Sequence, residues 1–343
     1  DYISYICRNV GYSEVVNTNS IQKEKKEKKE KFLINFFARN GEVKNRGPYI
    51  QSENKMYYFK KYITSLDFNW LTTNKKRLKN VADWNHYLFT TEITNDKQNY
   101  SYGPNIFLNK KLNERHKDKK VVADSEYMKN LLIDDFGISE KNIYVIPVYI
   151  KEQFFNTIPE PTDTFTVGLT GYYALNDIKN ISSLPFLAEK FPYIRFELLT
   201  SRDITQFPNE IRNYNNIHLI NSDNDKVPEV MKKWNIYLGL SKRERGPATV
   251  QEARTLGIPI ITPNHTGYSE FNNSIKLNIE PYKEHSKKDL YQYVKYIQKC
   301  KDNYTYYLDK ALQDKALFWY YYKHPEIISR KWEKFFWDCL ENK

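Results

Sequence analysis

The chain has few cysteines and no long apolar run. The three cysteines, Cys7, Cys300 and Cys339, form no CxxC pair and no spacing suited to a metal. Such sparse cysteine argues against a disulfide scaffold and predicts a reducing, cytoplasmic setting. No apolar stretch reaches the roughly 20 residues of a membrane-spanning helix, and no signal-peptide pattern is present. Because the chain opens on Asp1 rather than methionine, it remains open whether it is part of a longer protein.

Metal-binding patterns are also missing. The six histidines form no pair at ligand spacing. Asp223-Asn224-Asp225 matches an Asp-x-Asp pattern that binds metals in some enzymes, but it precedes a helical pattern that needs an N-cap. A turn and cap is therefore the favoured interpretation. We expect no metal and no other cofactor.

The charge of the chain is strongly basic and uneven. The formal net charge is +11, and most of the excess lies in residues 1–150. An electropositive first half attracts anionic lipid, nucleic acid or a phosphorylated compound, whereas a lysine-rich surface with no such partner gives the same composition. Residues 22–31 (QKEKKEKKEK) form a charge run with no apolar face. That run predicts a solvated helix or linker, so residues 1–31 are interpreted as a peripheral segment.

Apolar runs alternate with helical patterns along the rest of the chain. The first half contains FLINFFA, NWLTTN, HYLFTTEI, NIFL, KVVADS and IYVIPVYI, and the second contains TFTVGLTG, FELLTS, NIHLINS, IYLGLS, PIIT and IKLNI. This alternation predicts an α/β protein with parallel sheets covered by helices, and the second half predicts a doubly wound, Rossmann-like sheet. We place one Rossmann-like domain at residues 32–155, another at 156–325 and a final helix at 326–343.

Residues 236–270 carry most of the chemical signal. They contain a buried strand ending at Ser241, a loop with Glu244, a Gly-Pro turn, a helix with Glu252, and a second buried strand after Gly257. This order places polar groups at the carboxyl end of a parallel sheet, where open α/β folds bind ligands. The Glu-x7-Glu spacing alone occurs four times in the chain, so the surrounding strand, turn and helix carry the argument.

This segment resembles the donor-sugar site of retaining GT-B glycosyltransferases, family 4 in particular. The family signature is a Glu, seven residues and a second Glu, followed by Ala and a Gly-x-Pro strand, here Glu244, Glu252, Ala253 and Gly257-Ile258-Pro259. Residues 121–150 resemble the same family, whose members have a strand ending in Ser-Glu, a helix, a Gly and a Val-Ile-Pro strand before the linker. The resemblance implies two Rossmann-like domains, with the last helix crossing back onto the first.

The resemblance also implies roles for individual residues. Glu252 would hold the ribose hydroxyls of a nucleotide-sugar, and Glu244 would contact the hydroxyls of the transferred sugar. Carboxylates suit diols because their oxygens accept several hydrogen bonds. Lys179 matches the family's phosphate-binding lysine, so we assign Lys179 and Glu244 to catalysis. For Glu252 the alternative is an exposed helix carboxylate stabilised by the helix dipole.

Further residues are assigned to donor binding. The arginine that the family carries before its lysine is absent; Arg243 or Arg245 either supplies that charge or pairs with neighbouring carboxylates. Gly267 and Glu270 occupy the place of the family's Gly-Gly-x-x-Glu turn, which implies that they approach and orient the donor. Helix N-terminal amides bind phosphate, which favours the Gly-Pro turn before the Glu252 helix. The remaining assigned residues are Gly171, Ser241, Gly246, Pro247, Ala248 and Thr249.

The function implied by the resemblance is sugar transfer, with retention of configuration and without metal, from a UDP- or GDP-linked donor to a glycan, lipid or protein. UDP is the favoured nucleotide. Stabilisation of the leaving diphosphate would be the main catalytic effect. His86 either lines the acceptor cleft or, as we favour, packs at a strand end. Two alternatives stay open: transfer to nucleic acid, which we do not favour, and a non-catalytic basic binding module, against which the Glu244–Glu252 context argues. Peripheral contact with an anionic surface also stays open.

Overall fold

The computed structural model describes residues 31–38, 47–72, 84–87, 100–102, 118–171, 177–271 and 274–341. These residues form two six-stranded sheets with helices around them. The predicted peripheral segment at residues 1–31, apart from Lys31, and the predicted strand NIFL at residues 105–108 lie outside the described residues. Both stay predictions.

The first sheet is entirely parallel. Its strands pair in the order β2-β1-β3-β4-β5-β6. The predicted run IYVIPVYI ends as a strand at Val145, since Pro147 has no N–H to donate to a neighbouring strand. The strand bounds are β1 Phe32–Ala38, β2 Leu66–Thr72, β3 Trp84–Tyr87, β4 Tyr100–Tyr102, β5 Lys120–Ala123 and β6 Ile143–Val145.

The second sheet is parallel as well, in the order β12-β11-β10-β7-β8-β9. Its six strands coincide with the six predicted apolar runs, and the order is that of a doubly wound Rossmann-like sheet, as predicted. The direction of winding reverses between neighbouring strands β7 and β10. The strand bounds are β7 Thr166–Thr170, β8 Arg195–Thr200, β9 Ile217–Asn221, β10 Ile236–Leu238, β11 Ile260–Pro263 and β12 Ile275–Leu277.

Helices cover both faces of the second sheet. Leu187 and Ile297 belong to the core on one face, and Val250 and Leu256 belong to the core on the other. The helices are α1 Gly47–Tyr62, α2 Glu126–Asp134, α3 Glu152–Asn156, α4 Leu184–Lys190, α5 Asn209–Arg212, α6 Val227–Met231, α7 Ala248–Leu256, α8 Lys287–Asp302, α9 Tyr304–Phe318 and α10 Pro325–Glu341, with a π-helical turn at Trp319–Lys323.

The last helix, α10, packs on the core of the first sheet, as expected for a helix that crosses back. Trp332 and Phe336 lie in the same cluster as Ile34 and Phe59, and the Trp332 and Phe59 ring centroids are 5.4 Å apart. Because such aromatic rings bury a large apolar area, this helix completes the core of the first domain. The boundary placed near residue 155 falls within α3, between the two sheets, and stays a prediction.

His86 belongs to this core. Its ring is 1% exposed, and its centroid lies 5.2 Å from that of Trp332. His86 Nδ1 contacts Ser101 Oγ at 2.9 Å. Burial holds the pKa of His86 well below its ordinary value. The favoured interpretation as a packed strand histidine is therefore confirmed.

Candidate active site

Lys179 and Glu244 meet where the winding of the second sheet reverses. The loop after β7 carries Lys179 and the loop after β10 carries Glu244, and Lys179 Nζ forms an ion pair with Glu244 Oε1. The two side chains remain 25% and 15% exposed, so solvent reaches the pair. Open α/β sheets bind ligands at this point, outside the carboxyl ends of the strands. This pair is therefore the centre of the candidate site.

A close approach of two turns positions Glu244. Thr266 Oγ1 accepts a hydrogen bond from Glu244 N at 3.0 Å, and Gly267 N donates to Glu244 O at 2.9 Å. A Cβ on Gly267 would lie 1.9 Å from Arg245 O. The turn fits only because residue 267 has no side chain. The sequence assigns Gly267 to the donor; in the structure its amide is bonded to the Glu244 loop.

The backbone around this loop is strained. Backbone hydrogen bonds join three segments at this loop: Lys242 N donates to Ile178 O, and Tyr282 N donates to Lys242 O, both at 2.9 Å. Strained backbone of this kind costs roughly 1–3 kcal/mol per residue and concentrates at functional sites. Among the described residues, the non-glycine residues with positive φ all lie in segments bonded to this loop: Asp177 (32°), Asn180 (52°), Thr266 (49°) and Tyr282 (66°).

Asp177 holds the turn that presents Lys179. Its carboxylate accepts from Ile181 N at 2.9 Å and from Ser182 N at 3.0 Å. A Cβ on Gly171 would lie 2.9 Å from Ile181 Cδ1. Gly171, at the end of β7, therefore lies directly against the turn that presents Lys179.

The first turn of α7 lies beside the same strand ends. Tyr237 OH contacts Thr170 Oγ1 at 3.0 Å and Thr249 Oγ1 at 2.9 Å, which ties the end of β7 to the start of the helix. Gly246 and Pro247 immediately precede the helix, and Ala248 is its first residue. The first amides of a helix have no intrahelical partner and favour phosphate.

Glu252 lies on α7 and is half-buried. Burial raises its pKa from the ordinary 4.5 to about 7, and the charge of Lys151 opposes that rise. Because burial makes ionisation of this carboxyl group costly, and because the group lies on a helix at the ligand-binding edge of the sheet, Glu252 is a candidate functional residue. Glu244 and Glu252 thus lie on the loop and helix that the sequence predicts.

The two arginines point toward the first domain. Arg245 Nη2 lies 3.3 Å from Asp124 Oδ2, and Ser125 Oγ donates to Arg245 O at 2.9 Å. Arg243 lies near Tyr127, where its charge opposes the rise that burial causes in the tyrosine pKa. Arg245 therefore pairs with a neighbouring carboxylate, which is the second of the two interpretations that the sequence left open.

The structure also places Gly168, Glu270 and Ser241. Gly168 lies inside β7, where a Cβ would stand 1.7 Å from the Trp234 ring, so its role is packing. Glu270, which is expected to orient the donor, accepts a hydrogen bond from Tyr127 N at the start of α2. Ser241 is where it was expected, buried at the end of the β10 run beside Tyr268.

The Asp223-Asn224-Asp225 segment forms a turn, as predicted. Lys226 N donates to Asp223 O at 2.9 Å, and Asp225 Oδ1 lies 2.8 Å from Lys151 Nζ. The Asp223 side chain makes no cap hydrogen bond, so the cap part of the prediction is wrong. Within the described ranges, no group of three His, Cys, Asp or Glu residues is arranged to hold a metal ion.

Several polar residues that the sequence did not single out complete the site. No spacing signals them, and all except His265 are held by a hydrogen bond to a distant segment. They are Asn180, Tyr237, His265, Thr266 and His285.

Comparison with known proteins identifies the second domain. Residues 207–311, which include Glu244 and Glu252, match the family described as glycosyl transferases group 1. The similarity to group 1 glycosyltransferases is thus carried by residues 207–311. A comparison with curated proteins finds no match. The family match ends before α10 and begins after Lys179, so it covers the glutamates but not the lysine.

Solved glycosyltransferases share the architecture of this chain over most of its length. A glycosyltransferase from Rickettsia africae is 18% identical with a TM-score of 0.64, and the match covers 92% of this chain and all of that one. Anabaena HepE in complex with UDP-glucose is 12% identical, with a TM-score of 0.70 and coverage of 90% and 100%. Sucrose-phosphate synthase from Thermosynechococcus elongatus is 10% identical, with a TM-score of 0.71 and coverage of 91% and 100%. The fold is that of GT-B glycosyltransferases.

No helix within the described ranges has the length and apolar composition needed to cross a bilayer.

Proposed function

We propose that this protein transfers a sugar from a nucleotide-sugar, UDP-linked or GDP-linked, to a glycan, lipid or protein acceptor. The observation that carries the proposal is the Lys179–Glu244 ion pair at the winding reversal of a group 1 glycosyltransferase domain. The UDP-glucose complex of the structurally similar HepE favours UDP as the nucleotide.

The contacts of the site suggest a separate role for each of its three charged residues. Lys179 would exchange its bond with Glu244 for the donor diphosphate, and the first amides of α7 would add to that charge stabilisation. Glu244, released from the lysine, would accept hydrogen bonds from the transferred sugar. Glu252 would accept from the ribose hydroxyls, which replace part of the hydration that burial removes from its carboxyl group.

Retention of configuration and independence from metal belong to the same proposal. Electrostatic stabilisation of the leaving diphosphate by Lys179 and α7 supplies the role that a metal fills in other sugar transferases. The anomeric configuration of the product, read by proton NMR immediately after transfer, tests retention. Full activity in the presence of a chelator tests metal independence.

Donor binding is tested first with a thermal-shift screen of UDP, GDP, ADP and CMP. A ligand at 100 times its Kd stabilises the folded state by about 2.7 kcal/mol. We expect UDP or GDP to raise the unfolding temperature, and Glu252→Gln, which removes the carboxylate assigned to the ribose, to remove most of the effect. Glu189→Gln is the control, because the Glu189 side chain is 65% exposed and lies on the same domain. The proposal fails if none of the four nucleotides raises the wild-type unfolding temperature.

A further inference from the structure

The start of helix α2 makes a hydrogen bond that crosses from the first sheet to the second. The Ser-Glu motif, to which the sequence gives no role, is Ser125-Glu126, and Ser125 is the N-cap of α2. The Ser125 hydroxyl accepts from Met128 N at 3.1 Å and donates to Arg245 O at 2.9 Å. A serine hydroxyl has a single hydrogen to donate. Ser125 is 5% exposed, and its hydrogen is directed to a loop of the second sheet.

Three further contacts join the same segment to the second sheet. Asp124 Oδ2 lies 3.3 Å from Arg245 Nη2, and Tyr127 N donates to the Glu270 carboxylate. Tyr127 OH contacts Tyr282 OH at 2.9 Å. These partners lie on the loops that follow β10, β11 and β12. The start of α2 therefore touches the ligand-binding edge of the second sheet at three places.

The loop that carries Glu244 is held from both sheets. On its own side, Glu244 N donates to Thr266 Oγ1 at 3.0 Å, and Glu244 O accepts from Gly267 N at 2.9 Å. The next carbonyl along the chain is Arg245 O, which accepts from Ser125. Three consecutive peptide groups are therefore fixed, and the third is fixed from the first sheet.

The third bond restrains the most flexible point of the loop. Gly246 follows Arg245 and leads into α7, and a glycine backbone has more rotational freedom than that of any other residue. A Cβ on Gly246 would lie 3.3 Å from Asp124 O, so the first sheet packs directly against this glycine. Without the bond to Arg245 O, the stretch between Glu244 and α7 loses a restraint at its freest residue.

We propose that Ser125 is a positioning residue for sugar transfer, which holds the Glu244 loop in place from the first sheet. The inference rests on the proposed function, because it needs Glu244 to accept hydrogen bonds from the transferred sugar. Ser125 acts through Arg245 O rather than on the donor itself. Its loss should therefore weaken binding of the sugar part of the donor, whereas the nucleotide part keeps its contacts with Lys179 and Glu252.

Substitutions of Ser125 separate its cap from its bond to Arg245 O. Ser125→Thr keeps both, and Ser125→Ala loses both. Ser125→Asp keeps the cap, but an ionised carboxylate accepts hydrogen bonds and cannot donate one to a carbonyl. Ser286→Ala is the matched control, since Ser286 caps α8 and accepts from Asp289 N of its own helix at 3.3 Å.

Calorimetry on the full chain compares nucleotide with nucleotide-sugar. The ligands are UDP, UDP-glucose and UDP-galactose, or GDP and GDP-mannose if the thermal-shift screen selects GDP. The sugar used is the one whose nucleotide-sugar binds Glu244→Gln more weakly than wild type. We expect Ser125→Ala and Ser125→Asp to bind the nucleotide within about threefold of wild type and that nucleotide-sugar about tenfold more weakly. Ser125→Thr and Ser286→Ala should keep both affinities.

A double variant tests whether Ser125 acts through Glu244. Adding Ser125→Ala to Glu244→Gln should weaken nucleotide-sugar binding by less than about twofold more, because the contact that Ser125 supports is already lost. A full further tenfold loss would mean that Ser125 acts elsewhere and would overturn the inference.

Two other results overturn the positioning role alone: unchanged nucleotide-sugar affinity in Ser125→Asp, or equal weakening of nucleotide and nucleotide-sugar. Ser125→Asp decides even if Ser125→Ala does not fold. If Glu244→Gln weakens none of the nucleotide-sugars, Glu244 has no role in sugar binding and Ser125 has nothing to position. If the wild type binds no nucleotide at all, the proposed function fails and the inference with it.

Discussion

Replacing Glu252 with glutamine is expected to stabilise the folded protein and, at the same time, to weaken donor binding. Glutamine keeps the size and shape of the side chain and removes only the ionisable group. Burial raises the pKa of Glu252 from 4.5 to about 7, so the folded state binds this proton more tightly than the unfolded chain does. The contribution of Glu252 to stability is therefore greatest below pH 4.5 and is lost as the pH rises through 7.

The size of the effect follows from that pKa difference. Each pH unit between 4.5 and 7 corresponds to about 1.4 kcal/mol, so ionised Glu252 costs the folded state about 3 kcal/mol at pH 8. Glu252→Gln should exceed the wild type in free energy of unfolding by about 3 kcal/mol at pH 8, by about 1.5 kcal/mol at pH 5.5, and by almost nothing at pH 4. Urea denaturation at these three pH values measures the difference.

Donor affinity should change in the opposite direction. A charge-assisted hydrogen bond contributes about 1.5–3 kcal/mol, so Glu252→Gln should weaken nucleotide binding by roughly 10- to 150-fold at pH 8. Glu189→Gln serves as the control in both assays, since the Glu189 carboxylate is 65% exposed and lies 3.8 Å from Lys190 Nζ; its stability should stay within about 0.5 kcal/mol of wild type at every pH. A Glu252→Gln protein that is less stable at pH 8, or whose advantage does not vary with pH, would refute the reasoning.

Three further substitutions test the framework around the site. Gly267→Ala places a Cβ 1.9 Å from Arg245 O, so it should displace the Glu244 loop and weaken nucleotide-sugar binding more than tenfold by calorimetry; wild-type affinity would contradict this. Trp332→Ala removes a side chain of a residue that is 1% exposed, so the free energy of unfolding measured in urea should fall by about 3–5 kcal/mol. A fall below 1 kcal/mol would mean that α10 does not complete the core of the first domain. Asp314→Asn breaks the ion pair between Asp314 and Arg254, whose side chains are 10% and 16% exposed. The free energy of unfolding should fall by about 3 kcal/mol; an unchanged urea midpoint would contradict this.

The second sheet could be predicted from sequence because buried parallel strands form continuous apolar runs. FELLTS and PIIT carry that signal, and both coincide with strands β8 and β11. Apolar runs do not predict a strand whose formation depends on its neighbours in the sheet. Tyr100–Tyr102 becomes β4 because β3 and β5 lie on either side of it. Gly168 belongs to the predicted run TFTVGLTG, but no local pattern shows that it makes room for Trp234, a residue 66 positions away.

The candidate site likewise contains residues that the sequence predicts and residues that it does not. Glu244 and Glu252 could be predicted because a loop and a helix of fixed length separate them, so spacing and context encode their geometry. The contact between Asn180 and His285 could not be predicted, because 105 positions separate the two residues. Only the backbone bonds that join their segments bring them together, and no local pattern records those bonds.

The Glu189–Glu197 pair shows why spacing alone does not define a site. It has the same seven-residue separation as Glu244–Glu252, but Glu197 accepts from Trp234 Nε1 at 2.8 Å and from Arg195 Nε at 2.6 Å. Both of its oxygens are paired inside the fold and the residue is only 7% exposed, so it is not available to a ligand. Glu252 is instead held where burial opposes its ionisation. The difference lies in whether the fold satisfies the carboxylate, and that difference separates a structural glutamate from one available to a substrate.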